Sequence, residues 1–263
     1  MASISARLDR LPMTSAHRTA FIALAFAYFF ELGDLNTFAY AAPAVIKQWG
    51  ISVNTVALIT SASFGGMTIG ALTGGKLANH IGRRRGFIYA TILYAGFSFL
   101  NAAAWDVTSL AVLRFLTGIG LSAMTVIANT YISEFFPRHT RGRYMGLTMT
   151  VGLIGIPATA WVARFLVPMA PWGWRLVFVW GALGVVAAII GRAMPESPRW
   201  LLVQGRTAEA EATVARLEQL AVFRHGRLAE PQEQPDEPVR PRPPYAALFR
   251  HPHLSRTLVL SVI

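Results

Sequence analysis

Three residues of this chain combine charge with a place inside apolar sequence. Glu31 and Asp34 lie in the run Ala20–Val45, and Arg114 lies near the start of the run Leu110–Ser133. A spacing of three puts the two carboxylates on one helix face. A carboxylate at membrane depth is costly unless it is paired or faces a cavity, so by default it marks a solute or proton pathway. Arg114 is the natural partner, because a guanidinium holds a carboxylate until a proton competes for it. The chemistry expected of Asp34, Arg114 and Glu31 is therefore reversible protonation linked to solute binding. The bland alternatives are a packing hydrogen bond near Gly33 for the acids and snorkelling to the interface for Arg114. Arg164, at the far end of its run, reads as a snorkelling residue.

The elements that must position these groups are long and apolar. Six stretches recur: Ala20–Val45, Val56–Leu77, Phe87–Ala104, Leu110–Ser133, Tyr144–Val167 and Trp174–Ala193. Each is about 20 residues or slightly more, the length a helix needs to cross a ~30 Å hydrocarbon core. In lipid such a stretch must be helical to satisfy its own backbone. The chain is 54% hydrophobic and 14% charged, with mean hydropathy +0.44. An all-α, multi-pass membrane protein is expected, within the lipid bilayer.

Arginine fixes the expected orientation. Arg7, Arg10 and Arg18 precede the first stretch, Lys76 and Arg83–Arg85 follow the second, Arg138, Arg141 and Arg143 follow the fourth, and Arg192 follows the sixth. The opposite loops hold little beyond Lys47 and Arg175. By the positive-inside rule the N-terminus is cytoplasmic, and the inner (plasma) membrane is the expected location. The net charge of +11 is spread over separate loops, which argues against a nucleic-acid partner. Cysteine is absent, so disulfides and thiolate chemistry are excluded. Arg18 with Ala39-Tyr40-Ala41 mimics a signal peptide, but Glu31 and Asp34 interrupt its apolar core. No nucleophile–base pair, metal cluster or phosphate loop sits at consistent depth, so neither an enzyme nor a cofactor is expected.

The expected organisation is a cytoplasmic N-terminus over 1–19, a six-helix bundle over 20–193 and a cytoplasmic linker over 194–256. Within the linker, Thr207–Leu220 has helical periodicity, and Pro231–Pro244 reads as a flexible connection. Residues 257–263 are apolar to the last and read as the start of a seventh span that is cut off. Gly66, Gly70 and Gly74 form a small-residue stripe for close helix approach, and Gly118 and Gly120 form another. Tyr28, Phe29, Phe30, Phe38 and Tyr40 suit either packing or stacking on a ring-shaped solute.

Four stretches resemble the major facilitator superfamily, in its sugar-porter and metabolite–proton symporter branches. Gly75-Lys76-Leu77-Ala78-Asn79-His80-Ile81-Gly82-Arg83-Arg84 is similar to the signature between spans two and three. Arg114-x-x-x-Gly118-x-Gly120, continuing to Tyr131-x-x-Glu134-x-x-Pro137-x-x-x-Arg141-Gly142, resembles that of span four and its following loop. Gly173-Trp174-Arg175 and Pro195-Glu196-Ser197-Pro198-Arg199-Trp200-Leu201 resemble the motifs flanking span six. The resemblance implies the six-helix N-terminal half of that fold, built from two inverted three-helix repeats, with a C-terminal half as the expected partner. It implies proton coupling at Asp34 and Arg114, and a cytoplasmic gate of Arg83, Arg84, Glu134, Arg141, Glu196 and Arg199. Asn79 and His80 depart from the Asp-Arg of the signature, which weakens the expected latch to the second half. Span five offers Thr148, Thr150 and Thr159 where sugar porters use glutamines. The implied function is proton-coupled transport of a small organic solute by alternating access, an organic acid or related metabolite. A sugar–proton symporter, or a half that transports only with a partner half, is the alternative.

Overall fold

The computed structural model describes residues 3–231, and every regular element among them is helical. The elements are α1 (Ile4–Asp9), α2 (Ser15–Trp49), α3 (Val53–Ile81), α4 (Arg83–Asn101), α5 (Val107–Phe135), α6 (Arg138–Leu166), α7 (Trp174–Ala182), α8 (Val185–Gly191), α9 (Pro198–Val203) and α10 (Thr207–His225). Their ends follow local chemistry. Gly50 closes α2 with φ 65°, and the Ser52 hydroxyl accepts from the Thr55 amide to start α3. Asp106 accepts from the Ser109 amide at 2.7 Å to start α5, and Pro137 precedes α6. The start of a seventh span expected at 257–263, and most of the proline-rich stretch before it, lie outside the described residues.

Five of the membrane-length segments are long and apolar enough to cross a bilayer: α2, α3, α5, α6 with the short 3-10 turn after it, and α7 with α8. α4 has 19 residues but opens on three arginines, Arg83–Arg85. At 1.5 Å per residue it is about 28 Å long, close to the hydrocarbon thickness. The sixth stretch departs from expectation, because it is two helices rather than one continuous helix to Ala193. At Leu183 and Gly184 the backbone bonds tighten to i−3 partners, with the Leu183 amide on Trp180 O at 3.1 Å and that of Gly184 on Gly181 O at 3.2 Å. Small residues allow the break to be packed: a Cβ at Gly184 would strike the Tyr94 hydroxyl.

The helices pack as two related sets. The most extensive pairs are α3 with α5, α2 with α6, and α4 with α5, followed by the α7–α8 pair against both α2 and α4. Exchanging α2 with α5, α3 with α6, and α4 with α7–α8 maps this list onto itself. The pattern is what two three-helix repeats of the same packing produce.

Both tightest pairs are interlocked by missing side chains. A Cβ on Gly66 or Gly70 would enter the backbone of Phe115 or Ile119, and one on Gly118 would strike Ser63 O. In the related pair, a Cβ on Gly155 would strike Phe29 O, and one on Gly33 would meet Thr159 Oγ1 and Gly155 O. Lipid gives no hydrophobic drive for helices to associate, so backbone-to-backbone approach of this kind supplies the contact instead.

At the arginine-rich end, α1 packs on α9 and α10. Ile4, Leu8 and Leu11 share a core with Ala210, Val214, Leu217 and Ala221. Arg7 bonds Glu211 at 2.5 Å and Glu218 at 2.6 Å, and Arg10 joins Glu218 at 2.5 Å. The Arg7 hydrogen bond holds the Glu218 carboxyl below its ordinary range.

The interlock sets a test. Gly70→Val should lower stability in detergent by about 2–3 kcal/mol, because the opposing atoms are backbone and cannot yield. Gly96→Ala, whose Cβ would meet nothing within 4 Å, should be neutral or stabilising. Thermal unfolding of both variants checks this, and equal effects would contradict it.

Candidate functional site

Asp34, on α2, is fully buried, and Arg114, on α5, is 2% exposed. Arg114 Nη1 lies 3.2 Å from Asp34 Oδ2, so the pair expected from the sequence is formed. Polar groups of the surrounding helices bond it. Ser98 on α4 donates to Asp34 Oδ1 at 2.5 Å, and its oxygen is also 3.2 Å from the carbonyl of Phe178 on α7. Arg114 Nε donates to Ser63 Oγ on α3 at 3.1 Å, and Nη1 also reaches the Asp34 carbonyl and the Thr37 hydroxyl at 3.4 Å. The guanidinium carbon is 5.9 Å from the centre of the Phe178 ring. Gly181 makes room for this cluster, since a Cβ there would collide with Asp34 Oδ1 and Ser98 Oγ. One ion pair thus ties together α2, α3, α4, α5 and α7.

Glu31 does not share that environment. Three residues on a helix differ by about 60° in direction, and this separates the two acids more than the sequence suggests. Glu31 is 5% exposed and turns toward α5 and α6, where Thr125 donates to its Oε1 at 2.8 Å. It lines a cavity of about 240 Å³ together with Tyr28, Thr125, Asn129 and Thr148. The Tyr28 hydroxyl donates to Asn129 Oδ1 across the cavity at 2.8 Å.

The charged residues expected at the gate fall into three groups. Arg83 is bonded to Glu134 through Nε and Nη2, the latter at 2.9 Å, and to Asn79 Oδ1 at 2.6 Å. Asn79 therefore keeps hold of Arg83 although it lacks the carboxylate of the signature. Glu196 accepts from the Arg84 amide at 2.9 Å, a carboxylate on the N-terminus of α4. Gly82 allows it: its φ is 101°, and a Cβ there would meet the Glu196 carboxylate. The Arg84 side chain donates to Arg192 O, and Ser197 joins Glu134 at 2.7 Å. Arg199 instead pairs with Asp9 at 3.2 Å, linking α9 to α1, while Arg141 reaches Phe136 O at 3.4 Å. At the opposite end, Arg175 donates to Ala102 O and Ala104 O at 2.6 and 2.7 Å, closing the end of α4. Arg164 is exposed and lies 5.6 Å from the Trp161 ring centre.

Among the residues at these sites that the sequence does not single out are Asp9, Phe178, Thr37, Ser63, Ser98, Thr125 and Asn129. A signal existed for the last two. Arg114, Thr125 and Asn129 fall within about 60° of one another around α5, a polar line along one side of the helix. Ser98 and Ser63 carry no such signal, because a lone serine in an apolar helix ordinarily bonds its own backbone.

A family model described as sugar (and other) transporter matches residues 17–237. YyaJ of Bacillus subtilis, named as a metabolite transport protein, is 43% identical over 258 residues, which is 98% of this chain and 57% of YyaJ. The niacin transporter NiaP of Acinetobacter baylyi is 30% identical over 216 residues, 82% of this chain and 49% of NiaP. The xylose transporter XylE of Escherichia coli, in a partially occluded inward-open conformation, superposes with TM-score 0.70 at 19% identity, over 79% of this chain and 55% of XylE. The chain thus spans about half the length of the relatives it matches. With the paired repeats, the buried acid–arginine pair and the arginine-rich loops in place, this chain belongs to the sugar (and other) transporter family of the major facilitator superfamily and has the fold of its six-helix N-terminal half.

Proposed function

We propose that this chain forms one half of a proton-coupled secondary transporter in the inner membrane, with its N-terminus cytoplasmic, that moves a small organic acid or related metabolite by alternating access. The observation that carries the proposal is the Asp34–Arg114 pair, buried from water and bonded to five helices. An ion pair at membrane depth is weak support for stability but well suited to a switch, since one proton removes one of its charges. The organic-acid reading draws on NiaP, whose named solute is itself a carboxylic acid, and on a face of α6 that offers Thr148 rather than amides.

The mechanism follows from the hydrogen-bond inventory. With Asp34 ionised, the Ser98 proton goes to Oδ1 and Arg114 holds Oδ2. A proton on Asp34 turns the carboxyl into a donor and frees the Ser98 proton to rotate toward Phe178 O. That carbonyl lies just before the break between α7 and α8, so the protonation state reaches the sixth span directly. Arg114 loses its counter-charge and keeps only neutral acceptors and the Phe178 ring. The arrangement stabilised by the ionised pair is then no longer favoured, and this half rocks against its partner half around the solute. At the arginine-rich end, the Arg83–Glu134 pair and the Glu196 cap of α4 are placed to act as the cytoplasmic gate, breaking and re-forming as helix ends move. A sugar–proton symporter would use the same pair; the α6 face, which lacks amides, counts against a sugar, and the named solute of NiaP is the ground for preferring an acid.

Two outcomes test this reading. In proteoliposomes containing this half with a C-terminal six-helix half, Asp34→Asn should abolish proton-driven accumulation and leave solute exchange largely intact; undiminished uphill uptake would refute the coupling role. Arg114→Leu should destabilise the chain by about 3–5 kcal/mol by leaving Asp34 buried without a counter-charge. Adding Asp34→Asn should recover most of that loss, as read by thermal unfolding in detergent. A double variant no more stable than Arg114→Leu would show that the pair is not electrostatically linked.

A further inference from the structure

We infer that the cavity between α2, α5 and α6 seats the hydrogen-bond-donating end of the transported solute, an O–H or N–H group on a single flat ring, with Glu31 as its acceptor. This rests on the transport reading above only in that a solute passes here. The inference is carried by two unmet groups on residues that line the same cavity. Glu31 Oε2 and Thr148 Oγ1 are both buried with no hydrogen-bond partner, on residues only 5% and 1% exposed. They come from different helices, α2 and α6, and both line the cavity. A buried acceptor left unpaired costs free energy that a donor from a ligand removes.

The other lining groups narrow the ligand. The hydroxyls of Thr125 and Tyr28 already donate, to Glu31 Oε1 and Asn129 Oδ1. None of the residues lining the cavity is cationic. A carboxylate seated here would face the Glu31 carboxylate with no arginine or lysine to separate them, whereas a donor completes Glu31. Arg114 is unavailable because Asp34 already holds it. The remaining walls are Leu32, Met145 and Met149, apolar and adaptable in shape. A dry cavity of about 150 Å³ holds one benzene ring, so about 240 Å³ accommodates one substituted ring. The acidic end of an organic acid must then be held elsewhere than on this face.

Four probes separate donor from acid: 4-methylphenol, 4-methoxytoluene, 4-hydroxybenzoate and 4-methoxybenzoate. Their affinities are measured by NMR titration on the 263-residue chain in lipid nanodiscs. Methylating the hydroxyl should weaken binding roughly tenfold or more in both pairs, the usual cost of losing a bond to a charged acceptor. Glu31→Leu should erase that difference, and Thr148→Val should reduce it while leaving the acid in place. Equal affinity for phenol and methyl ether, a difference that survives both substitutions, or no binding of any probe would overturn the assignment. Comparing each benzoate with its neutral counterpart bears on the organic-acid reading alone, so the two readings fail independently.

Discussion

An ion pair without water around it constrains everything packed on it. Asp34 and Arg114 each need the other, and each needs further donors or acceptors that only neighbouring helices can bring. Ser63, Ser98, Thr37 and the Phe178 ring supply them from α3, α4, α2 and α7. Charges left unpaired in lipid are costly, and residues of five helices meet around this pair. Few other polar arrangements in the bundle span so many elements. Glu31, only three residues away, accepts a hydrogen bond from α5 and lines a cavity.

The small residues make such an arrangement affordable in geometry. Gly181 leaves room for Asp34 and Ser98, and Gly184 leaves room for Tyr94. The interlocks of α3 with α5 and of α2 with α6 are backbone against backbone, so these pairs behave as stiff units. Stiff pairs concentrate movement elsewhere. The break at Leu183–Gly184, with its i−3 bonding, lies one turn beyond the carbonyl that Ser98 shares with Asp34. A change of charge at the pair is thus adjacent to a break in the sixth membrane-length segment.

Much of this was legible in the sequence, for identifiable reasons. Apolar runs of bilayer length announce helices whatever their partners, and the spacing of Gly66, Gly70 and Gly74 announces close approach. The Asp34–Arg114 pair was legible because charged residues in apolar runs are few and must find each other. What sequence does not carry is direction around a helix at fine resolution. Glu31 and Asp34 look like one site and are two, since about 60° of rotation points them at different neighbours. Ser98 matters only because α4 happens to face Asp34, and nothing local in its helix says so. The division of the sixth span was hidden for a similar reason: Gly181 and Gly184 are ordinary in a membrane helix until Asp34 and Tyr94 are set against them.

The central claim, that Asp34 changes protonation state and passes the change to Ser98, is tested most directly by isotope-edited difference infrared spectroscopy across the pH range in which transport operates. A carboxylic-acid C=O band should appear on acidification and be absent in Asp34→Asn, with a simultaneous shift of the Ser98 hydroxyl mode and of the Phe178 carbonyl. An Asp34 side chain that stays in one protonation state across that range, or that titrates while Ser98 and Phe178 remain unchanged, would contradict it.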